Sequence, residues 1–199
     1  AALPVWRGFN LLEKFILGMS GSGPYHEEDF QLISELGFNF VRLPLDYRFW
    51  IVDGDWLSLK RIAAGDGNAE YDAVDIVPQW EKKNKGITML PETGFMDTEI
   101  KQDAQWLWDT FFSKWAALKD SGEGVMVGEW GAFNRTPHEV TLRWMEDSLK
   151  TFRRAGLGWA LWNFRGSLGI LDSGRQDVVY EEFHGHQLDR KMLELLQQY

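Results

Sequence analysis

Two side chains stand where their types could do chemistry. Glu129 ends the apolar run GVMVGEW (124–130) and is followed at once by Trp130 and Gly131. Arg42 lies inside another apolar run, FVRLPL (40–45). A guanidinium in such a strand is costly to bury unless a carboxylate pairs with it. The guanidinium would in turn keep that carboxylate ionised. An ionised carboxylate held rigidly at a strand end is equipped for nucleophilic attack. The residues by themselves equally allow a strand-end glutamate bonded to a loop and an unrelated ion pair at Arg42. The chain also holds 11 Trp. Indole combines a large apolar face with one donor, which suits a sugar ring as well as it suits a protein core. His184 and His186 in FHGHQLDRKM lack a nearby ligand cluster, which is weak ground for a metal, and none is expected.

The elements that must position these groups follow from the pattern. The runs 5–12, 38–45, 86–90, 124–130 and 158–164 are mostly continuous in apolar residues, as strands buried on both faces are. Helical patterns lie between them, at 26–36, 98–119, 137–155 and 188–198. At the third, Thr136 can cap, Pro137 fits the first helical position and Glu139 can close a capping box, which leaves His138 exposed in the first turn. Gly37 and Gly156 read as helix stops. Strand and helix in alternation imply a parallel α/β sheet with right-handed crossovers. Segment 63–101 breaks the rhythm and reads as long loops around one short strand. At 199 residues the chain is most simply one domain. A net charge of −9 disfavours nucleic acid and anionic membranes as partners. No apolar run reaches the roughly 18 residues of a membrane span. The opening AALPVWRGFN lacks a signal-peptide pattern. Without cysteine there is neither a disulfide framework nor a thiolate site.

RGFNLLEKF, FNFVRLPLDYRFW, VGEWGAF and GWALWNFRGSLGILDSGR, in this order, resemble glycoside hydrolase family 5, the retaining cellulase family with an eight-stranded (β/α) barrel. The resemblance covers about residues 5–60 and 100–199. It implies that Glu129 is the catalytic nucleophile at the end of the seventh strand and that Arg42 supports it. It also implies that Trp162 is the aromatic platform beneath the sugar next to the scissile bond. Trp159, three residues earlier on the strand, points to the opposite face and into packing. Asn10 and Glu13 match positions that contact the non-reducing side of the substrate. Tyr47, Phe49 and Trp50 could line the cleft. For these five, loop packing is the competing reading.

The sequence also departs from that family. Retaining hydrolysis needs a second carboxyl group about 5–5.5 Å from the nucleophile. The family's Asn-Glu-Pro motif, which carries it, occurs nowhere in the chain. Between Ile62 and Lys101 lie about 40 residues, where a full barrel needs three or four units of about 30 each. The expected fold is therefore a reduced, incomplete TIM-barrel-like α/β domain of about five parallel strands and three to four helices. Glu70, Asp72, Asp75, Glu81 and Glu92 are candidates for the missing acid, and Glu92 is favoured because GITMLPE reads as a short strand delivering a carboxylate past its end. About five strands cannot close an eight-stranded barrel, so a homodimer covering the gap is expected. The implied activity is a retaining endo-β-glycanase on β-1,4-linked plant polysaccharides (β-glucan or cellulose, with xylan or mannan possible), needing no cofactor and working outside the cell if the substrate is a polymer. A non-catalytic carbohydrate-binding remnant is the competing function.

Overall fold

The computed structural model describes residues 3–18, 23–46, 49 and 103–199. Tyr47, Trp50, the strand expected at 86–90 and the carboxylates Glu70, Asp72, Asp75, Glu81 and Glu92 lie outside the described residues.

The other four expected strands form: β1 (Arg7–Asn10), β2 (Phe40–Arg42), β3 (Met126–Trp130) and β4 (Gly158–Leu161). All three pairings are parallel, in the order β2-β1-β4-β3. The last of these strands in sequence thus lies beside the first, which is how a (β/α) barrel closes on itself. The described part is a four-stranded arc of such a barrel, α/β and incomplete. Close pairing of β1 with β2 depends on Gly8. A Cβ there would sit 1.7 Å from the Phe40 carbonyl oxygen.

Side chains alternate across the arc. Phe9, Trp159 and Leu161 enter the buried core with Met145, Leu149, Phe152, Phe164, Leu188 and Leu193. Trp159 is therefore a packing residue, its ring 5.6 Å from that of Trp130. Helix α1 (Glu27–Glu35) follows β1 and buries Leu32 and Ile33. The helix expected at 98–119 is described from 103 onward. It runs as α2 (Ala104–Leu107), a π-helical stretch (Trp108–Phe112) and α3 (Ser113–Asp120). Asp103 caps it, its Oδ1 accepting from the amides of Gln105 and Trp106 at 3.1 Å each. Helix α4 (His138–Ala155) buries Thr141, Met145, Ser148, Leu149, Phe152 and Ala155, a stripe at three- and four-residue spacing. It stops at Gly156, as expected, in a left-handed conformation. Helix α5 (Arg190–Gln198) covers the end of the core with Met192, Leu193 and Leu196.

Two expectations are corrected. Thr136 does not cap α4; Pro137 occupies the capping position without a side-chain bond. The cap is tertiary instead, Asp177 Oδ2 accepting the His138 amide at 2.7 Å. His138 is buried rather than exposed, because its helix start abuts that of α5 and places Nε2 2.7 Å from Asp189 Oδ2. At 181–188 the structure adds an element that the pattern does not predict. It is an antiparallel hairpin, β5 (Glu181–Phe183) and β6 (His186–Leu188). Its two turn residues, His184 and Gly185, both have positive φ, the geometry of a tight hairpin turn.

Candidate functional site at the open end of the strands

Parallel strands leave all their C-terminal ends on one side, and in barrels that side carries the reactive groups. Asn10 and Arg42 are the last residues of β1 and β2, and Glu129 is the penultimate residue of β3. These three meet. Arg42 Nη1 donates to Glu129 Oε1 at 2.6 Å and to Asn10 Oδ1 at 2.9 Å. Asn10 is fully buried. Its Nδ2 lies within donating distance of the carbonyls of Gly128 (2.9 Å), Ala160 (3.1 Å) and Leu161 (3.2 Å). One amide side chain thus ties β1, β3 and β4 together and orients the arginine on β2.

Glu129 owes its direction to an irregularity in β3. Val127 pairs with Trp159 and Trp130 with Leu161, so three steps on β3 match two on β4. Such a bulge lets Val127 and Trp130 both pack on the core side, which a regular strand would forbid. The residues between them are released toward the opposite side. There the Gly128 Cα passes under the guanidinium, a Cβ at that position falling 3.6 Å from Arg42 Nε. The Glu129 side chain is 53% exposed and that of Arg42 37%. A pair this open contributes at most about 1 kcal/mol to stability. The pair is therefore a minor contributor to folding stability.

Trp162 follows β4 directly. Its amide donates to the Trp130 carbonyl at 2.7 Å, and Phe15 meets its ring edge-on at 4.8 Å between centroids. Gly131 makes this approach possible, since a Cβ there would lie 2.8 Å from the Trp162 carbonyl oxygen. Glu13 is half-buried in the loop after β1, with Oε2 lacking a partner among the described residues. It lies near Tyr25, whose hydroxyl is pushed above its usual pKa by burial and by the Glu13 charge. Phe49 is half-buried beneath the Lys14 ammonium, 4.7 Å from the ring centroid. Asp46 fastens the loops after β1 and β2 to one another. Its amide donates to the Lys14 carbonyl at 2.7 Å, and its Oδ2 accepts the Leu17 amide at 2.9 Å.

Among the described residues no group of three or more His, Asp or Glu is arranged to hold a metal. His184 contacts Glu35 (3.1 Å), and His186 sits between Asp172 (2.7 Å) and Glu28 (3.6 Å). With Arg165, whose Nε and Nη2 donate to Asp29 and Glu28, they fasten the hairpin to α1. The Arg165 guanidinium holds the Glu28 carboxyl below its usual pKa.

No protein-family model matches the sequence, and no curated protein matches it. Solved structures do. A crystal structure of a glycoside hydrolase superposes with a TM-score of 0.70 at 21% identity, over 97% of this chain and 98% of that one. Thermotoga maritima Cel5A with cellobiose, in a mutant form, gives 0.63 at 14% identity, over 96% of each chain. A hyperthermophilic endo-beta-1,4-glucanase in complex with substrate gives 0.58 at 14% identity, over 97% of each. The chain has the barrel-type fold of these glycoside hydrolases.

Proposed function

We propose that the protein is a retaining glycoside hydrolase of the cellulase type, cleaving β-1,4-linked plant polysaccharide with Glu129 as nucleophile. The observation that carries this reading is the Asn10–Arg42–Glu129 chain at the C-terminal strand ends. Arg42 engages Oε1, which leaves Oε2 to attack the anomeric carbon. In the first step the C1–Oε2 bond forms while the glycosidic C–O bond breaks, and a second carboxyl group protonates the departing oxygen. In the second step that group, now a carboxylate, takes a proton from water as the water attacks C1 and Glu129 leaves. Glu92 is the proposed second carboxyl group, with Glu70, Asp72, Asp75 and Glu81 as the other candidates. No cofactor takes part.

Trp162 supplies the apolar face under the sugar, and Phe15 braces it. Glu13 is the proposed contact to the non-reducing side, and Tyr47 and Trp50, outside the described residues, are proposed as further substrate contacts. Full burial and saturated bonding make Asn10 a positioning residue for Arg42 rather than a substrate contact. The endoglucanase neighbours and their sugar complexes support the choice of substrate class.

The test compares soluble β-glucan with dinitrophenyl β-cellobioside, whose leaving group departs without protonation. Wild type should cleave both, and Glu129→Gln should lose at least about 10³-fold in kcat on each. Cleavage of the activated glycoside alone would mean that the chain lacks the acid. Binding of β-glucan with no cleavage of either substrate would replace hydrolysis by carbohydrate binding.

A further inference from the structure

Arg175 lies far from the strand ends in sequence and is 2% exposed. Burying a guanidinium is costly, and this one is not matched to a carboxylate in an ion pair among the described residues. It points at main-chain oxygens instead. Nη1 donates to the Thr136 carbonyl and Nη2 to the Ala132 carbonyl, each at 2.8 Å. These two carbonyls bracket the turn into which β3 runs three residues after Glu129. The same turn is held from the same side twice more. Asn134 Nδ2 donates to the Ser173 carbonyl at 2.7 Å, and the His138 amide donates to Asp177 at 2.7 Å. Arg175 is itself braced, its amide donating to Tyr180 Oη at 2.7 Å, while that hydroxyl pairs with Ser173 Oγ at 2.8 Å. On the near side of the turn, the Trp130 carbonyl is fixed by the Trp162 amide.

We propose that Arg175 is a positioning residue, whose fork clamps the Ala132–Thr136 turn and through it fixes the orientation of Glu129. The inference rests on the hydrolase reading for its chemical consequence. Only a planar, two-pronged donor can span both carbonyls. A lysine in its place reaches one of them and leaves the other without its partner. Catalysis needs a nucleophile held to within a fraction of an ångström, and small displacements cost one to two orders of magnitude. Glu129 lies within the bulge, and the clamp fixes the chain from three residues beyond it.

The experiment uses Arg175→Lys, Arg175→Met and Asn134→Ala, the last removing one tether without disturbing a buried charge. Each variant is checked for native circular dichroism, assayed on dinitrophenyl β-cellobioside and followed by hydrogen exchange. In folded Arg175 variants kcat should fall about 10- to 100-fold with KM within about twofold, and Asn134→Ala should show a smaller fall of the same kind. Exchange should quicken at the hydrogen-bonded amides of Thr136 and His138 while the amides of β1 and β4 keep their protection. Wild-type kinetics in the folded variants, or exchange that is unchanged or quickened everywhere alike, would overturn the proposal. If Arg175→Met does not fold, Arg175→Lys and Asn134→Ala decide. If wild type itself leaves the glycoside intact, the hydrolase reading falls. The clamp is then judged by exchange alone, where local quickening supports it and any other pattern overturns it.

Discussion

Arg42 is the residue of the proposed site at which reactivity and stability can be measured against each other. Its bond to Glu129 is short but open to water, so its loss should cost little in folding. Arg42→Met also leaves the buried Asn10 Oδ1 without its donor, so the unfolding free energy should fall by about 1–3 kcal/mol while kcat on an activated glycoside falls by at least about 10²-fold. Chemical denaturation and steady-state kinetics on the same preparation check this. A loss of activity that merely tracks a loss of folded protein would place Arg42 in the scaffold instead. Glu129 and Arg42 stood out in the sequence because both interrupt apolar strands, where a lone charge demands an explanation; their partnership was implied only by the family resemblance, and the structure shows the bond. The part played by Asn10 was not legible. Nothing in RGFN tells a buried amide bridging three strands from one facing a ligand, since the difference lies in partners more than a hundred residues away.

At the scale of elements, the strands were easy to read and their irregularities were not. Continuous apolar runs identify buried parallel strands, and all four expectations on described residues hold. The bulge in β3 leaves only the faint signal of Gly128 within the run. The hairpin of β5 and β6 hides in strands of three residues each, and its best clue is the His-Gly pair at the turn. The start of α4 misled for a physical reason. Local capping residues stand at the right spacing, yet the amide of His138 is taken by Asp177 from a distant loop. That bond, helped by the charge of the Arg175 guanidinium, holds the Asp177 carboxyl below its usual pKa. A carboxyl depressed in the folded state contributes stability that is present above its unfolded pKa and is lost as pH falls through the folded one. Asp177→Asn keeps an acceptor but removes the charge. Its thermal midpoint should lie below that of wild type at neutral pH, and the difference should shrink as pH drops below about 4. Melting curves at a series of pH values check the sign; a gap that widens in acid would contradict it.

For the whole molecule, the order β2-β1-β4-β3 places the two ends of the chain's strand series side by side, as barrel closure requires. Length and the count of strand-like runs lead the sequence to predict a barrel short of strands, whereas the pairing order is a property of the folded sheet alone. The shortened barrel expected from the sequence would leave apolar surface uncovered, and among the described residues Leu43, Leu45 and Val5 are 40%, 55% and 54% exposed. We propose that a second copy of the chain covers the gap. Sedimentation at micromolar concentration should give twice the mass of 23.1 kDa, and a compact monomer would rule the dimer out.

The central claim is that Glu129 is the nucleophile, and trapping tests it most directly. Dinitrophenyl 2-deoxy-2-fluoro-β-cellobioside reacts without help from an acid, and its fluorine slows the hydrolysis of the glycosyl-enzyme. Intact-mass analysis should show one added fluorocellobiosyl group per chain, and peptide mapping should place it on the Glu129 carboxylate. An unmodified protein that nonetheless cleaves cellobiosides, or an adduct on any other residue, would contradict the account.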